Sequence, residues 1–258
     1  MENLAQLLSL GEEVLVTAIA VFLRIAAAMA VLPGFGEQTI SARVRLGAAV
    51  AFTMLVAPVV APSLPPGASL SWSDLITLMG SETLTGLAFG LMLRLLVHTL
   101  QITGTIAAQS TSLAQLFAGA SVEPLPAIGH LLVVAGLALA AMAELHLRIA
   151  EALIETYRLF PIGTVLNAGA LAEVGIAHVA RAFSLAFTLA APFVIGALIY
   201  NLALGAINRA MPQLMVAFVG APAITGAGLA LLALVAPLAL ELWRATLLET
   251  LETPFGAI

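Results

Sequence analysis

The sequence contains no cysteine and no lysine. Without cysteine there are no disulfides and no thiolate metal sites, and nothing follows about redox compartment. All nine basic residues are arginine; against fourteen acidic residues they leave a net charge of −5, with no basic patch and no block of like charge. Nucleic acid is therefore not an expected partner. Charged residues make up 9% of the chain, against about 25% in a soluble domain. Asp74 is the single aspartate, which excludes a paired-aspartate intramembrane protease. There is no His-Glu-x-x-His, and His98, His130, His146 and His178 are dispersed. There is no Gly-x-Ser-x-Gly elbow and no phosphate-binding Gly-Lys loop. The chain is expected to be no enzyme and to hold no cofactor or metal. Met1 to Glu13 carries Glu2, Glu12 and Glu13 and no positive charge, so a cleavable signal peptide is not expected. Two-residue alternation is absent too, which argues against strands.

What the chain does have is apolar surface. Hydrophobic residues are 62% of its 258 positions, and the mean hydropathy is +1.12. So much apolar surface requires lipid, apolar partner helices, or both. Six apolar segments stand out: Val14–Leu32, Leu46–Ala61, Leu84–Leu100, Ile128–Met142, Phe183–Leu204 and Leu214–Leu240. They predict an all-α, integral membrane-type bundle of about six long, kinked helices, read as one polytopic domain over residues 1–258. Breaks are expected at Pro58, Pro65-Pro66-Gly67, Pro124, Pro126, Pro192, Pro212, Pro222 and Pro237, because proline removes a helix hydrogen bond. Small residues recur in Gly86-Leu87-Ala88-Phe89-Gly90 and Ala26-Ala27-Ala28-Met29-Ala30. Such spacing lets helix backbones approach, within this chain or against a neighbouring subunit. Arginine placement gives no clear winner by the positive-inside rule: Arg43, Arg45 and Arg209 oppose Arg148, Arg158 and Arg181 in a six-span alternation.

Polar residues inside apolar segments are the candidates for function. Gly90, Arg94, His98, Gln101, Thr105 and Ser112 follow a spacing of three or four residues, with one double step, so they lie near one helix face, and Gln109 is one residue off it. Such a stripe faces a water-filled path, a polar partner, or acceptors within the bundle. The run from Gln109 to Ser121 is small, polar and uncharged around a Leu116-Phe117 pair, which reads as a loop or hairpin held at depth or as an amphipathic helix end. Arg24 lies mid-segment and needs a carboxylate, a carbonyl or water, as a structural pair or in a transport path. Asn201, Gly205, Asn208 and Pro212 share a face on which asparagines can bond to packed helices.

Several stretches together resemble the FliR family, whose injectisome relatives are called SctT. Leu32-Pro33-Gly34-Phe35-Gly36-Glu37-Gln38, followed by Ala42-Arg43-Val44-Arg45-Leu46-Gly47, resembles the family's Pro-x-Phe-Gly … Arg-Val-Arg-x-Gly signature. Gly90-Leu91-Met92-Leu93-Arg94 and Gln109 fall where the family has its third long helix and its Gln-Met-Gly hairpin. Thr156-Tyr157-Arg158-Leu159-Phe160-Pro161-Ile162-Gly163 resembles its aromatic-Arg-x-x-Pro-x-Gly turn. Asn201 to Gly205, then Asn208-Arg209 and Pro212-Gln213-Leu214, resemble its Asn-Leu-Ala-Leu-Gly … Asn-Arg … Pro-Gln-Leu block. The chain departs from the pattern at Met215, at Ser110-Thr111, around Ala143-Glu144-Leu145-His146, and at Ala221-Pro222.

The resemblance implies a non-enzymatic subunit of the flagellar type III protein export gate in the bacterial inner membrane, at the flagellar basal body. FliP-like and FliQ-like subunits would surround it, FlhB and FlhA would act with it, and unfolded export substrates would pass. Its helices would form tilted hairpins in a larger assembly, much of it above the membrane plane. The plug would be Leu113 to Ser121, with Leu113, Leu116, Phe117 and Gly119 as gate residues. Arg94, His98, Gln101, Thr105 and Gln109 would form a polar conduit or assembly face. Asn201, Asn208, Arg209, Pro212 and Gln213 would form an assembly turn. The Asn-Leu-Ala-Leu-Gly block and Gly220-Ala221-Pro222 favour the flagellar branch over the injectisome one. The rivals are an injectisome gate subunit, a polytopic secondary transporter, and a scaffold without a conduit.

Overall fold

A chain this apolar has to satisfy its backbone groups locally, and the α-helix does so within one segment. The computed structural model describes residues 2–37, 40–60, 72–112, 127–211 and 216–256. Among these residues there are seven helices and no strand. They are α1 (Glu2–Val31), α2 (Ala42–Val60), α3 (Trp72–Ser112), α4 (Ala127–Met142), α5 (Leu145–Leu159), α6 (Ala168–Ala210) and α7 (Val216–Glu252). Five contain stretches long and apolar enough to cross a membrane, and the bent pair α4–α5 makes a sixth. The expectation of an all-α membrane bundle holds.

Two features differ from the sequence reading. The first is helix length: α3, α6 and α7 run for 41, 43 and 37 residues. At 1.5 Å per residue these are roughly 55–65 Å long, about twice the hydrocarbon thickness of a bilayer. The helices run on through Pro58, Pro192, Pro222 and Pro237. Each proline costs a single intrahelical bond, and the turns on either side keep theirs. The turn signals at 65–67, 124, 126 and 212 lie outside the described residues.

The second is α5, which the apolar segments did not include. Its buried residues Leu145, Ile149, Ala152, Leu153, Thr156 and Tyr157 recur at helical spacing. Glu151, Glu155 and Arg158 lie on the other side, where Arg158 pairs with Glu155 at 2.8 Å. This is an amphipathic helix, and a search for uninterrupted apolar runs passes over it. It departs from α4 at 75°. The bend is made at Glu144, which takes the left-handed conformation with φ 58° and ψ 40°.

Contacts group the chain into two compact units. The first comprises Met1–Leu95, Ala141–His178 and Leu247–Ile258. Its core is built on α1, where Ala20, Val21, Ile25, Ala28 and Met29 have no exposed surface, as has Leu32 just after it. The second comprises Leu96–Ala140 and Val179–Thr246, with Leu100, Leu132, Ala186, Phe193 and Trp243 in its core. The spanning window of α3 is 61% buried, whereas those of α2 and α7 are 22% buried. Met54, Leu55, Phe187, Leu202, Leu234 and Leu238 are exposed. Helices α2, α6 and α7 therefore each present apolar side chains that need lipid or partner protein.

Candidate functional site

In the first unit the polar residues collect at two places. One is the turn after α1. Gly34 has φ +80°, and a Cβ on Gly36 would lie 2.8 Å from the Ala30 carbonyl oxygen, so glycine is required at both positions. Arg45, at the start of α2, donates from Nε to the Phe35 carbonyl at 3.1 Å and from Nη2 to the Glu37 carbonyl at 3.1 Å. Phe35 meets Phe52 edge-on at 6.2 Å. Arg45 thus ties the Arg-Val-Arg element at the start of α2 to the Pro-Gly-Phe-Gly turn. Arg94 reaches its neighbourhood from α3, donating to the Val31 carbonyl at 3.4 Å. It does so across a close helix contact. A Cβ on Gly90 would lie 2.8 Å from the Ala28 carbonyl oxygen, and one on Gly86 would overlap the Arg24 carbonyl. The small-residue spacing in α1 and α3 therefore serves packing inside this chain.

The other place is Arg24, whose partner now has a name. Arg24 is 1% exposed. Its Nε donates to Glu82 Oε2 at 2.8 Å and its Nη2 to Glu82 Oε1 at 3.0 Å. Nη1 donates to Thr156 Oγ1 at 3.2 Å, and Nη2 also reaches the Phe160 carbonyl at 3.0 Å. The Tyr157 ring lies against the guanidinium, 3.7 Å from Cζ to centroid. Glu82 Oε1 also accepts the Gly163 backbone N–H at 3.0 Å. Gly163 itself has φ +80°. The aromatic-Arg-x-x-Pro-x-Gly turn is thereby fastened to α1 and α3 through one ion pair. The Tyr157 hydroxyl is buried without a hydrogen-bond partner among the described residues. Charge, fork geometry and donors are matched within the cluster, as a buried pair requires.

Glu82, Thr156 and Tyr157 were not singled out from the sequence as Arg24's surroundings. The available signal was a carboxylate two residues before the third apolar segment, facing a lone arginine in the first.

In the second unit α3 is held by side chains that bond to backbone. Thr99 Oγ1 donates to the Ala182 carbonyl and Thr103 Oγ1 to the Ala186 carbonyl, each at 3.3 Å. Trp243 Nε1 donates to the Leu96 carbonyl at 2.7 Å. A Cβ on Gly136 would meet Leu100 Cδ1 at 2.6 Å and the Trp243 ring at 3.3 Å, so α4 comes close to both side chains there. His98 Nδ1 and Gln101 Oε1 are 2.7 Å apart, and Thr105 Oγ1 donates to the Gln101 carbonyl at 2.9 Å.

The predicted stripe is thus not uniform. Gly90 is buried, Arg94 and His98 are half-buried, and Gln101 and Gln109 are exposed. Asn201, Asn208 and Arg209 are all exposed at the end of α6. Leu113, Leu116, Phe117, Gly119, Pro212 and Gln213 lie outside the described residues. Among the described residues no group of three or more histidines or carboxylates could hold a metal ion.

Long apolar helices closed around a buried ion pair define a polytopic helical membrane protein. Residues 15–250 match the model of the bacterial export proteins, family 1. The chain belongs to this family. It is 34% identical to the flagellar biosynthetic protein FliR of Caulobacter vibrioides over 83% of this chain and 86% of the relative. It is 30% identical to FliR of Escherichia coli over 84% of this chain and 82% of the relative. With FliR of Aquifex aeolicus the identity is 28%, over 88% of each.

Proposed function

We infer that the chain is a subunit of the flagellar type III protein export gate, embedded in a membrane. The observation that carries this reading is the family match over residues 15–250. The helix lengths support it. Helices of roughly 55–65 Å with apolar faces along much of their length cannot be covered by one bilayer crossing, so protein neighbours are needed to cover the rest. Those neighbours are FliP-like and FliQ-like subunits, with FlhB and FlhA acting alongside, in the bacterial inner membrane. Both compact units serve this one assembly.

The work of such a subunit is mechanical. It has to seal against ions when idle and admit an unfolded chain when active, and neither task requires catalysis. Leu113–Ser121 is the plug, with Leu116 and Phe117 its bulky tip and Leu113 and Gly119 flanking it. Bulky apolar tips exclude water from a narrow path and so stop ions, and the small residues beside them permit displacement. Arg94, His98, Gln101, Thr105 and Gln109 form a polar face toward the conduit or a neighbouring subunit. Asn201, Asn208, Arg209, Pro212 and Gln213 form the assembly turn between α6 and α7.

Affinity purification in mild detergent tests the reading. FliP-like and FliQ-like chains are expected to co-purify, and loss of this chain is expected to abolish motility and flagellar secretion. A chain purified without such neighbours that takes up a small solute by itself would replace the gate reading with a secondary transporter.

A further inference from the structure

After α7 the chain closes into a β-turn, Thr253-Pro254-Phe255-Gly256, in which the Gly256 N–H donates to the Thr253 carbonyl at 3.0 Å. The proline ring fixes φ of Pro254 at about −65°, and Phe255 has φ +75°. With the closing bond these make a type II turn. The local sequence asks for something else. Proline second and glycine fourth suit a type I turn, whose third residue has a negative φ; a type II turn wants glycine or asparagine third. A bulky side chain in the left-handed region is a steric outlier. What holds Phe255 there is not local. Its ring is 2% exposed and meets Phe160 edge-on at 5.1 Å. Phe160 is the residue whose carbonyl accepts from Arg24 and whose N–H bonds to the Thr156 carbonyl at 2.9 Å. Three residues on, Gly163 donates to Glu82.

We propose that Thr253–Gly256 is a two-state clasp on the Arg24–Glu82 cluster, closed by the contact of Phe255 with Phe160. Type I and type II turns differ by a flip of the peptide between their second and third residues, and both keep the closing bond. In the type II state seen here the Phe255 ring lies on Phe160 and holds the Phe160–Gly163 turn to Arg24 and Glu82. In the type I state φ of Phe255 becomes about −90°, its Cβ is re-aimed, and the ring leaves Phe160. A strained residue persists only where its surroundings over-determine it. Here the surroundings are the ring contact and the burial of Pro254 and Phe255. The clasp lies wholly within the first unit, and it gives an otherwise closed ion pair one reversible side.

The test uses the full chain, purified in mild detergent with the chains that accompany it, unmodified and as Phe255→Ala and Phe255→Gly. Two quantities are read: the backbone of residue 255 by cryo-electron microscopy, and hydrogen exchange of the peptide Phe160–Thr164. The Phe160, Gly163 and Thr164 amides of that peptide are all bonded. Without the ring, alanine is expected to relax to a negative φ, whereas glycine can keep the type II turn. An alanine still at positive φ overturns the clasp, because something other than the ring then sets the turn. In both variants Phe160–Thr164 should exchange about tenfold faster, since the ring contact that covers it is gone. Unchanged exchange in either variant overturns the clasp as well. If Phe255→Ala is not recovered, Phe160→Leu is read in the same way: it removes the partner ring, and Phe255 itself should turn to negative φ. Loss of both variants makes the contact a folding requirement and overturns the two-state reading.

Discussion

Arg24 and Arg94 are both arginines within apolar helices of the first unit, and their surroundings are opposite. Arg24 has four hydrogen bonds to three residues, a ring against its face and 1% exposure. Arg94 is half-buried, with a long 3.4 Å bond to the Val31 carbonyl. A guanidinium carries five donors; Arg24 uses four of them, from all three nitrogens, inside its own chain, whereas Arg94 uses one and has capacity left for something outside it. The same division runs through the other polar residues. Glu82, Thr99, Thr103 and Trp243 turn inward and are bonded. Gln101, Gln109, Asn201, Asn208 and Arg209 turn outward. Inward groups should control whether this chain folds, and outward groups whether the folded chain joins its neighbours.

The largest expected effect belongs to the sealed pair. Glu82→Leu leaves Arg24 charged and unpaired in an apolar interior, which costs about 3–5 kcal/mol. The variant should be nearly absent from membranes even when gate subunits are co-expressed. Arg24→Met combined with Glu82→Leu removes both charges and should restore much of the protein, because an apolar replacement of a whole buried pair is often neutral. Immunoblots of membrane fractions decide it. A double variant as depleted as the single one would mean that Arg24's bonds to Thr156 and Phe160, not its charge pairing, hold the cluster together.

Arg94→Leu should behave differently. The chain remains at normal abundance, because one long bond is lost inside it. Export and gate recovery should fall roughly 10- to 100-fold, the equivalent of a charge-assisted hydrogen bond of about 1.5–3 kcal/mol. Normal motility would place Arg94 among the inward groups and break the comparison. Asn208→Ala is the milder version at the other end of the molecule. Losing one interhelical side-chain bond is worth about 1 kcal/mol, so complex recovery and secretion should drop together by about fivefold. Intact complex with abolished secretion would move Asn208 from assembly to transport.

How far the sequence carried these assignments depends on the distance over which each feature is encoded. The turn after α1 is local, and its Gly34, Gly36 and Arg45 could be read from a stretch of a dozen residues. The glycine spacing in α3 was legible as close packing, although not which helix it would meet. Arg24 was legible as a residue needing a partner, but Glu82 is 58 positions away, and no local pattern links the two. Gly104 and Gly129 belong to the same class: a Cβ on Gly104 would overlap the Gly129 backbone, and neither residue stands out until α3 and α4 are side by side. Helix α5 was missed because its apolar face is interrupted by Glu151 and Glu155, which read as loop in a search for continuous apolar runs. The lengths of α3, α6 and α7 were underestimated because the apolar segments stop at polar residues that the helices carry on through, among them Glu82 and Gln101 in α3, Glu173 and Arg181 in α6, and Glu241 and Arg244 in α7. The plug lies outside the described residues, so that assignment rests on sequence pattern and family resemblance alone.

The smallest expected effect concerns the bend that aims α5, and with it Thr156 and Tyr157, at Arg24. Glu144 adopts φ 58°, a conformation that costs a residue with a Cβ about 1–2 kcal/mol and glycine almost nothing. Its backbone N–H bonds to the Ala141 carbonyl at 3.1 Å, and its carbonyl accepts from Leu147 and Arg148. Its side chain is exposed and makes no capping bond. Glu144→Gly therefore keeps every backbone bond and releases the steric cost. Glycine's extra freedom in the unfolded chain takes back about 0.5–1 kcal/mol, which leaves a net gain of about 0.5 kcal/mol. For a chain of this size that is a rise of about 1–2 °C in Tm, to be read by thermal unfolding of the detergent-solubilised gate. Export should be unchanged, because Glu144 belongs to neither the inward nor the outward set. A fall in Tm would assign the carboxylate a partner in the assembled gate and move Glu144 into the outward set; an unchanged Tm with reduced secretion would mean that the angle of α5 matters to transport beyond its effect on stability.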